Sequence, residues 1–368
     1  MKKVGLITFH RPINFGAALQ SVALVKAIES CGAECEIIDY VNPAFEKAYK
    51  VFSFSNCVSL KRTAWEFLML NIRIRQKISF SGFIKENAKL TSKCNKKELQ
   101  NFSDTYDLYI TGSDQVFNYN CSGSDASYYL DFVKNKPKYS YAASFGDSDV
   151  PAEYVDEYKK HLTDFSDISV RESSGIGIVQ KLLGRQTVKT LDPTLLLNQN
   201  QWGQIVSKTP RQFAEPYILI YLMAQSDEIN AQIFSVAQRL QEKYHYSIVV
   251  IGGSLHKKKN NIHYVNAKSP YEFVALFRDA SYVVTNSFHG TAFSVNFRKN
   301  FYSYVKPNLE IVGRVESLLT PIGLRDRIFS YAKDVKEISD VSYSEKEDAI
   351  AKEIEESYAY LRKVLNNG

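Results

Sequence analysis

Short apolar runs alternate with longer amphipathic stretches along the chain, and the first forty positions set the theme. VGLITF reads as a strand, HRPINFG as a loop and AALQSVALVKAIES as a helix, because Leu19, Val22, Ala23 and Ala27 fall at helical spacing. Gly32 supplies a C-terminal cap and ECEIIDY a second strand, so the opening is one βαβ unit. Further apolar runs recur at 107–111 (DLYIT), 138–144 (KYSYAAS), 167–170 (DISV) and 187–191 (TVKTL), with gaps long enough for crossover helices. Such alternation predicts a mostly parallel sheet with helices on both faces.

A linker with Thr209-Pro210 and Glu215-Pro216 follows, and then the pattern restarts: strand YILIYLM, helix SDEINAQIFSVAQRLQEKY, strand SIVVIGG. Ser269-Pro270-Tyr271-Glu272 reads as a capping box with proline at the first helical position, opening PYEFVALFRDA ahead of the strand SYVVT. The chain is therefore expected to fold as two Rossmann-like, doubly wound α/β domains, at 1–203 and 211–342. Residues 343–368, charged and amphipathic with alternating signs, form a terminal helix that packs back on the body.

Length agrees: 368 residues exceed one ordinary core and suit two domains with a cleft between them. With 45% hydrophobic and 23% charged residues, the composition is that of a folded globular protein. VGLITF runs into His10, Arg11 and Pro12 without a small-residue cleavage site and reads as a strand rather than a signal peptide. PYILIYLMA, the most apolar later window, is too short to cross a bilayer as a helix. Cys31, Cys35, Cys57, Cys94 and Cys121 form an odd set without C-x-x-C pairs, which points to reduced thiols, a cytoplasmic setting and no structural zinc. The net charge of +6 suits an anionic substrate or a lipid-headgroup surface. Residues 61–85 join Lys61, Arg62, Arg73, Arg75, Lys77 and Lys85 to Trp65, Phe67, Leu68 and Leu70, either as a membrane-surface contact or as a basic helix packed on the sheet.

In a doubly wound sheet, ligands sit beyond the carboxyl ends of the strands, near helix N-termini that favour anions. Four loops fit that description. Asn14 and Gly16 follow the first strand; they offer an amide and close backbone approach, or simply a cap and a turn glycine, and Asp39 does not complete a dinucleotide fingerprint. Ser113, Asp114 and Gln115 follow DLYIT, where Asp114 could take a proton from an acceptor hydroxyl or merely cap the next helix. Arg171 ends DISV, placed to fork onto a carboxylate or phosphate, or to pair with Glu172 or another nearby acid. Asn286-Ser287-Phe288-His289-Gly290 is a turn before the helix TAFSVNF. There the Ser287 and Thr291 hydroxyls, backbone N–H groups and an imidazole that titrates near neutrality converge. His256 and His263 flank the lysine run KKKNN and read as a solvated loop, while His10, His161 and His245 lack a surrounding motif; no metal site is expected.

Taken in order, NFGAALQSVAL, YITGSDQVFN, ISVRES followed by LDPTLLL, and VVTNSFHGTAFS resemble the polysaccharide pyruvyl transferase family over residues 1 to about 325. The resemblance implies a glycosyltransferase-B-like pair of domains, the first on the acceptor side and the second on the donor side. It also implies transfer of the pyruvyl group of phosphoenolpyruvate to two hydroxyls of a sugar, giving a cyclic ketal and phosphate, with no cofactor. The implied acceptor is a polysaccharide unit or lipid-linked oligosaccharide at the inner membrane face, and no nucleic-acid partner is expected. His289 matches the family's donor-site histidine and Arg171 its donor-holding arginine. Ser287, Gly290 and Thr291 join the donor set, and Asn14, Gly16, Ser113 and Gln115 the acceptor set; His289 is the proton donor or phosphate partner, and Asp114, in the other domain, the base. Many members carry arginine two residues before the histidine; Ser287 stands there instead, and Arg314 in GRVESLL is the candidate replacement or else a surface residue. The rival readings are a nucleotide-sugar glycosyltransferase of the same architecture and a non-catalytic carbohydrate-binding protein.

Overall fold

The computed structural model describes residues 1–49, 59–123, 125–223, 226–251, 261–306, 311–330 and 334–368. Cys57, His256 and Lys257 to Lys259 lie outside the described residues, as do the side chains of Lys61, Trp65 and Leu68. The first half runs β1 (Lys3–Ile7), α1 (Phe15–Ser30), β2 (Glu34–Ile37), α2 (Pro43–Ala48), α3 (Leu60–Asn87), β3 (Lys89–Leu90), β4 (Leu108–Asp114), α4 (Tyr119–Ser122), β5 (Lys138–Ala143), α5 (Val155–Leu162), β6 (Asp167–Val170), α6 (Ser173–Leu183) and β7 (Val188–Lys189). These strands form one sheet of order β3-β2-β1-β4-β5-β6-β7, parallel throughout. After α7 (Gln199–Ile205) come β8 (Tyr217–Tyr221), α8 (Asp227–Tyr244), β9 (Ser247–Ile251), β10 (Ile262–Val265), α9 (Pro270–Asp279), β11 (Tyr282–Thr285), α10 (Phe288–Asn296), β12 (Asn300–Tyr304), α11 (Ile311–Leu319) and β13 (Ile328–Phe329). They build a second parallel sheet, β10-β9-β8-β11-β12-β13. Two parallel-sheet α/β domains are thus present, as the alternation of apolar runs implies.

In each sheet the strand order reverses next to the first strand of the unit, between β1 and β4 and between β8 and β11. A crevice opens at such a reversal because the flanking crossovers leave on opposite faces. The strand centres are apolar on both faces, with β4, β5, β8 and β11 almost wholly buried, as parallel sheets covered by helices require. Helix α1 is buried from Gly16 to Val25, because the second domain covers the side that its own sheet leaves open.

An aromatic seam joins the domains. Phe15 at the start of α1 stacks on Phe273 of α9 at 4.5 Å between ring centroids, and Phe273 packs in turn on Tyr221, Phe277 and Phe293. Trp202 meets Phe293 edge-on at 5.2 Å while its indole N–H donates to the Thr194 carbonyl. Helix α12 (Glu347–Asn367) returns to the first sheet: Tyr360 donates to the Ser140 carbonyl, Ser357 accepts from Leu191 N–H, and Lys363 pairs with Asp167. Helix α3 buries Phe80, Phe83 and Ile84 against the core, so its C-terminal half is a packed helix, while Ile74 and Ile78 remain 39% and 66% exposed.

Two local expectations change. Ser269 caps α9 by accepting from Glu272 N–H, but Glu272 accepts from Lys268 N–H rather than from Ser269, so the reciprocal half of the capping box is displaced by one residue. Helix α10 begins at Phe288, three residues earlier than expected, because Ser287 accepts from Gly290 N–H as its cap.

Phe273 is completely buried where the two domains meet. Phe273→Ala should therefore lower the unfolding free energy by about 3–5 kcal/mol, whereas Phe15→Ala, at a half-buried position, should cost less; urea denaturation of both variants against the parent measures this.

Candidate active site

Strand-end loops of the two domains meet at one carboxylate. Asp192 follows β7 and precedes Pro193, where its Oδ1 caps a short 3₁₀ turn by accepting from Thr194 N–H at 3.0 Å and from the Thr194 hydroxyl at 2.7 Å. Its Oδ2 accepts from Arg171 Nη1 at 3.0 Å. The same oxygen lies 3.6 Å from His289 Nε2, beyond hydrogen-bond distance. Burial alone would push the Asp192 carboxyl up, but His289, the Arg171 guanidinium and Thr194 together outweigh it and hold the group well below the usual carboxylate range. Asp192 is therefore an anion linking an arginine of the first domain to a histidine of the second.

Arg171 lies among three acids, with Asp114 at 3.5 Å and Glu172 at 4.0 Å in addition to Asp192, and its side chain is only 1% exposed. Burial opposes its charge, but the three carboxylates more than restore it. The Phe288 ring covers the guanidinium at 4.8 Å, which adds a cation–π contact from the second domain. Glu172 is itself fixed: Oε1 accepts from the Ser144 hydroxyl and from Phe145 and Gly146 N–H. Arg171 Nε and Nη2, Glu172 Oε2 and His289 Nε2 are buried and make no hydrogen bond among the described residues. Such a cluster of unmatched polar atoms is rare in a structural core, which makes these atoms the candidate contacts for a polar ligand.

His289 sits in the first turn of α10, packed against Gly16 near the start of α1. A methyl group on Gly16 would lie 2.1 Å from His289 Nδ1, so only glycine allows this approach between the domains. Gly290 plays a similar local role, because a Cβ there would meet Thr285 Oγ1 at 2.4 Å. Asp114 ends β4 at φ 68°, a left-handed conformation that few residues other than glycine, asparagine and aspartate tolerate well. Its carboxylate is thereby turned towards Arg171, so Asp114 is a strand-end group and not the cap of the next helix.

Other sequence-selected residues are placed differently. Ser287 caps α10, and Thr291 turns inward to the Ser287 carbonyl and the Ser303 hydroxyl. Ser113 is fully buried, donating its hydroxyl to Ala142 O and its N–H to Gln20 Oε1, so it faces the sheet interior instead of an acceptor. Gln115 accepts from the Asn118 amide, and Asn14 caps α1 through Ala17 N–H while lining a cavity of about 300 Å³ with Tyr221 and Asn266. Arg314 lies buried on α11, one turn before Ser317, whose hydroxyl accepts from Ser173 N–H; it is not a surface residue. Asp192 and Phe288 were not among the sequence-selected site residues, although both fall inside quoted motifs. An aspartate before proline at a strand end, adjacent to the strand end that carries Arg171, was the available signal. Among the described residues, no group of three or more histidine, cysteine, aspartate or glutamate side chains is arranged to hold a metal, and no helix is long and apolar enough to cross a membrane.

Comparison with known proteins gives a family and a fold. The family model described as polysaccharide pyruvyl transferase matches residues 14–305. No protein of curated function matches the chain in sequence. Among solved structures, the chain is similar to the UDP-GlcNAc 2-epimerase from Methanocaldococcus jannaschii, with TM-score 0.52 and 11% identity over 100% of both chains. It is also similar to the S. aureus MnaA–UDP co-structure, with TM-score 0.51 and 13% identity over 98% of this chain and 91% of that one. An E. coli heptosyltransferase with ADP aligns at TM-score 0.44 and 11% identity over 96% and 99% of the two chains.

Two outcomes test the geometry without reference to any reaction. Because the Asp192 value is depressed on folding, its stabilisation is complete above the unfolded carboxyl value of about 3.9 and is lost as the pH falls below it. Asp192→Asn should thus cost about 3–5 kcal/mol near neutrality, and the gap to the parent should narrow as urea unfolding is repeated at falling pH; a gap independent of pH would refute the buried anion. Gly16→Ala improves helix propensity but forces the imidazole aside. The expected result is an unchanged far-UV circular dichroism spectrum together with a shifted His289 ring signal in ¹⁵N NMR.

Proposed function

The chain belongs to the polysaccharide pyruvyl transferase family, and from that premise we propose that it moves the pyruvyl group of phosphoenolpyruvate onto two hydroxyls of one sugar, forming a cyclic ketal and releasing phosphate. The observation that carries this reading is the cluster of unmatched polar atoms on Arg171, Glu172 and His289, where strand-end loops of the two sheets meet. The acceptor is a polysaccharide unit or lipid-linked oligosaccharide, and the reaction takes place in the cytoplasm, at the inner face of the membrane.

The chemistry needs few parts. One acceptor hydroxyl adds to C2 of the donor while C3 gains a proton and becomes a methyl group. The C2–O bond to phosphate then breaks, and the second hydroxyl closes the ring on C2. Of the two hydroxyl protons, one balances that gained by C3 and the other leaves with phosphate. His289 supplies the proton to C3, with the Asp192 carboxylate 3.6 Å from its Nε2. Asp114 receives the acceptor proton, since it projects from the first domain at 14% exposure beside Arg171. Arg171 and Arg314 hold the donor's carboxylate and phosphate, together with the open first turn of α10 behind the Ser287 cap. Asn14 and Gln115 address the sugar.

Arg171 is too deeply buried to meet a ligand arriving from solvent. The domains must part at the aromatic seam for the donor to enter and close again to exclude water, so binding and closure are one event.

Phosphate release from phosphoenolpyruvate across simple galactosides, glucosides and mannosides tests the reaction, and His289→Ala should reduce it by about 10²- to 10⁴-fold with the fold intact. Calorimetry with phosphoenolpyruvate against a panel of nucleotide sugars separates this reading from a glycosyltransferase. Near-normal turnover of the His289→Ala protein would remove the central assignment.

A further inference from the structure

A second cavity, of about 220 Å³, lies between α2, α3 and the ends of β1 and β2, apart from the Arg171 cluster. One wall is apolar, with Phe45, Phe80, Ile84 and Leu90, and the other carries charge. Arg11 donates from Nη1 to Asp39 at 2.5 Å and from Nη2 to Glu46 at 3.4 Å, and His10 Nε2 lies 2.9 Å from the same Asp39 oxygen. Burial would raise the Asp39 carboxyl, but His10 and Arg11 hold it at about 2, so it stays an anion and keeps Arg11 in place. Arg11 Nε is buried and has no hydrogen-bond partner among the described residues. Lys77 and Lys85 also line the cavity, so lysines and arginine outnumber the acids Asp39 and Glu46.

The mouth of this cavity has an unusual edge. Ile78 lines it yet is 66% exposed, and Ile74, one helical turn earlier on α3, is 39% exposed. An apolar track therefore leaves the cavity along the outside of α3, next to Lys77. Inward, Ile13 and Phe80 line both this cavity and the one that contains Asn14 and Tyr221. Asn14 lies two residues from Gly16, against which His289 packs.

We propose that this cavity binds the phosphate of a lipid phosphate ester: the phosphate at Arg11 Nε, Lys77 and Lys85, the hydrocarbon chain along Ile78 and Ile74, and the sugar directed past Ile13 and Asn14 to His289. This rests on the acceptor half of the proposed function and names its carrier. Glu46, 39% exposed and shared between Arg11 and Lys77, opposes an incoming phosphate. Removing its charge should strengthen binding, a sign that a merely structural role does not predict.

The test is calorimetric titration of the full chain with farnesyl phosphate, farnesol and inorganic phosphate, without donor. Farnesyl phosphate should bind about tenfold more tightly than either fragment, and the double variant Lys77→Ala, Lys85→Ala should lose about tenfold, the cost of charge-assisted hydrogen bonds. Ile78→Asn should weaken farnesyl phosphate while leaving inorganic phosphate unchanged, and Glu46→Gln should tighten both. All these positions are partly or well exposed, so unchanged melting temperatures serve as the folding control. Equal binding by the parent and the lysine variant overturns the proposal, as does inorganic phosphate binding as tightly as the ester. Because no donor is present, failure here leaves the pyruvyl-transfer reading standing, and absence of phosphate release leaves this result standing.

Discussion

One buried carboxylate, Asp192, constrains everything around it. Its two oxygens serve a 3₁₀ turn, an arginine and a histidine, and these belong to three different segments of chain and both domains. An anion with no solvent exposure is tolerable only where cations and donors surround it, and Arg171, Thr194 and His289 together hold Asp192 in its charged form. The domain arrangement seen here is therefore a condition of electrostatic balance as well as of packing. The aromatic seam supplies cohesion, and the carboxylate supplies register.

Register matters because the contacts that define the site have almost no slack. Gly16 and His289 come from different domains and approach so closely that a single methyl group would not fit. Asn296 fastens the far end of α10 to the first domain by donating to the Thr194 and Leu197 carbonyls, the segment that also carries Asp192. Helix α10 is thus held near both ends by the 192–197 segment. Any hinge motion that admits a ligand must move α10 and this turn relative to each other or carry them as a unit.

Much of the fold was legible because it depends on periodicity: the apolar runs at 138–144, 167–170 and 187–191 each contain a strand of the first sheet, the run at 107–111 opens a strand that continues to Asp114, and the 227–244 helix falls within the amphipathic stretch that predicts it. The site was legible in part. Asp114, Arg171, His289 and Gly16 come together as their strand-end positions suggest. Ser113 and Thr291 do not join them, since a hydroxyl one residue away from a functional position points to the opposite side of a strand or helix, and here both are spent on backbone or neighbouring hydroxyls. Asp192 was hidden for a different reason. Its sequence context announces a helix cap, and one of its oxygens does serve as a cap; only the three-dimensional meeting of β6 and β7 reveals that the other oxygen faces Arg171.

The charge around Arg171 also differs from the basic pocket that a trianionic donor first suggests. Three acids surround one guanidinium. Glu172 is largely neutralised by backbone N–H groups and a hydroxyl, and Asp192 is shared with His289, which leaves Asp114 as the acid in direct competition with a bound anion. On the proposed function, a donor carboxylate that reaches Arg171 displaces Asp114 from it. On that reading, the displacement frees the Asp114 carboxylate from its 3.5 Å ion pair with Arg171 at the moment the donor arrives. Competition between donor and Asp114 for one arginine would thus tie donor binding to release of the proposed base from its ion pair.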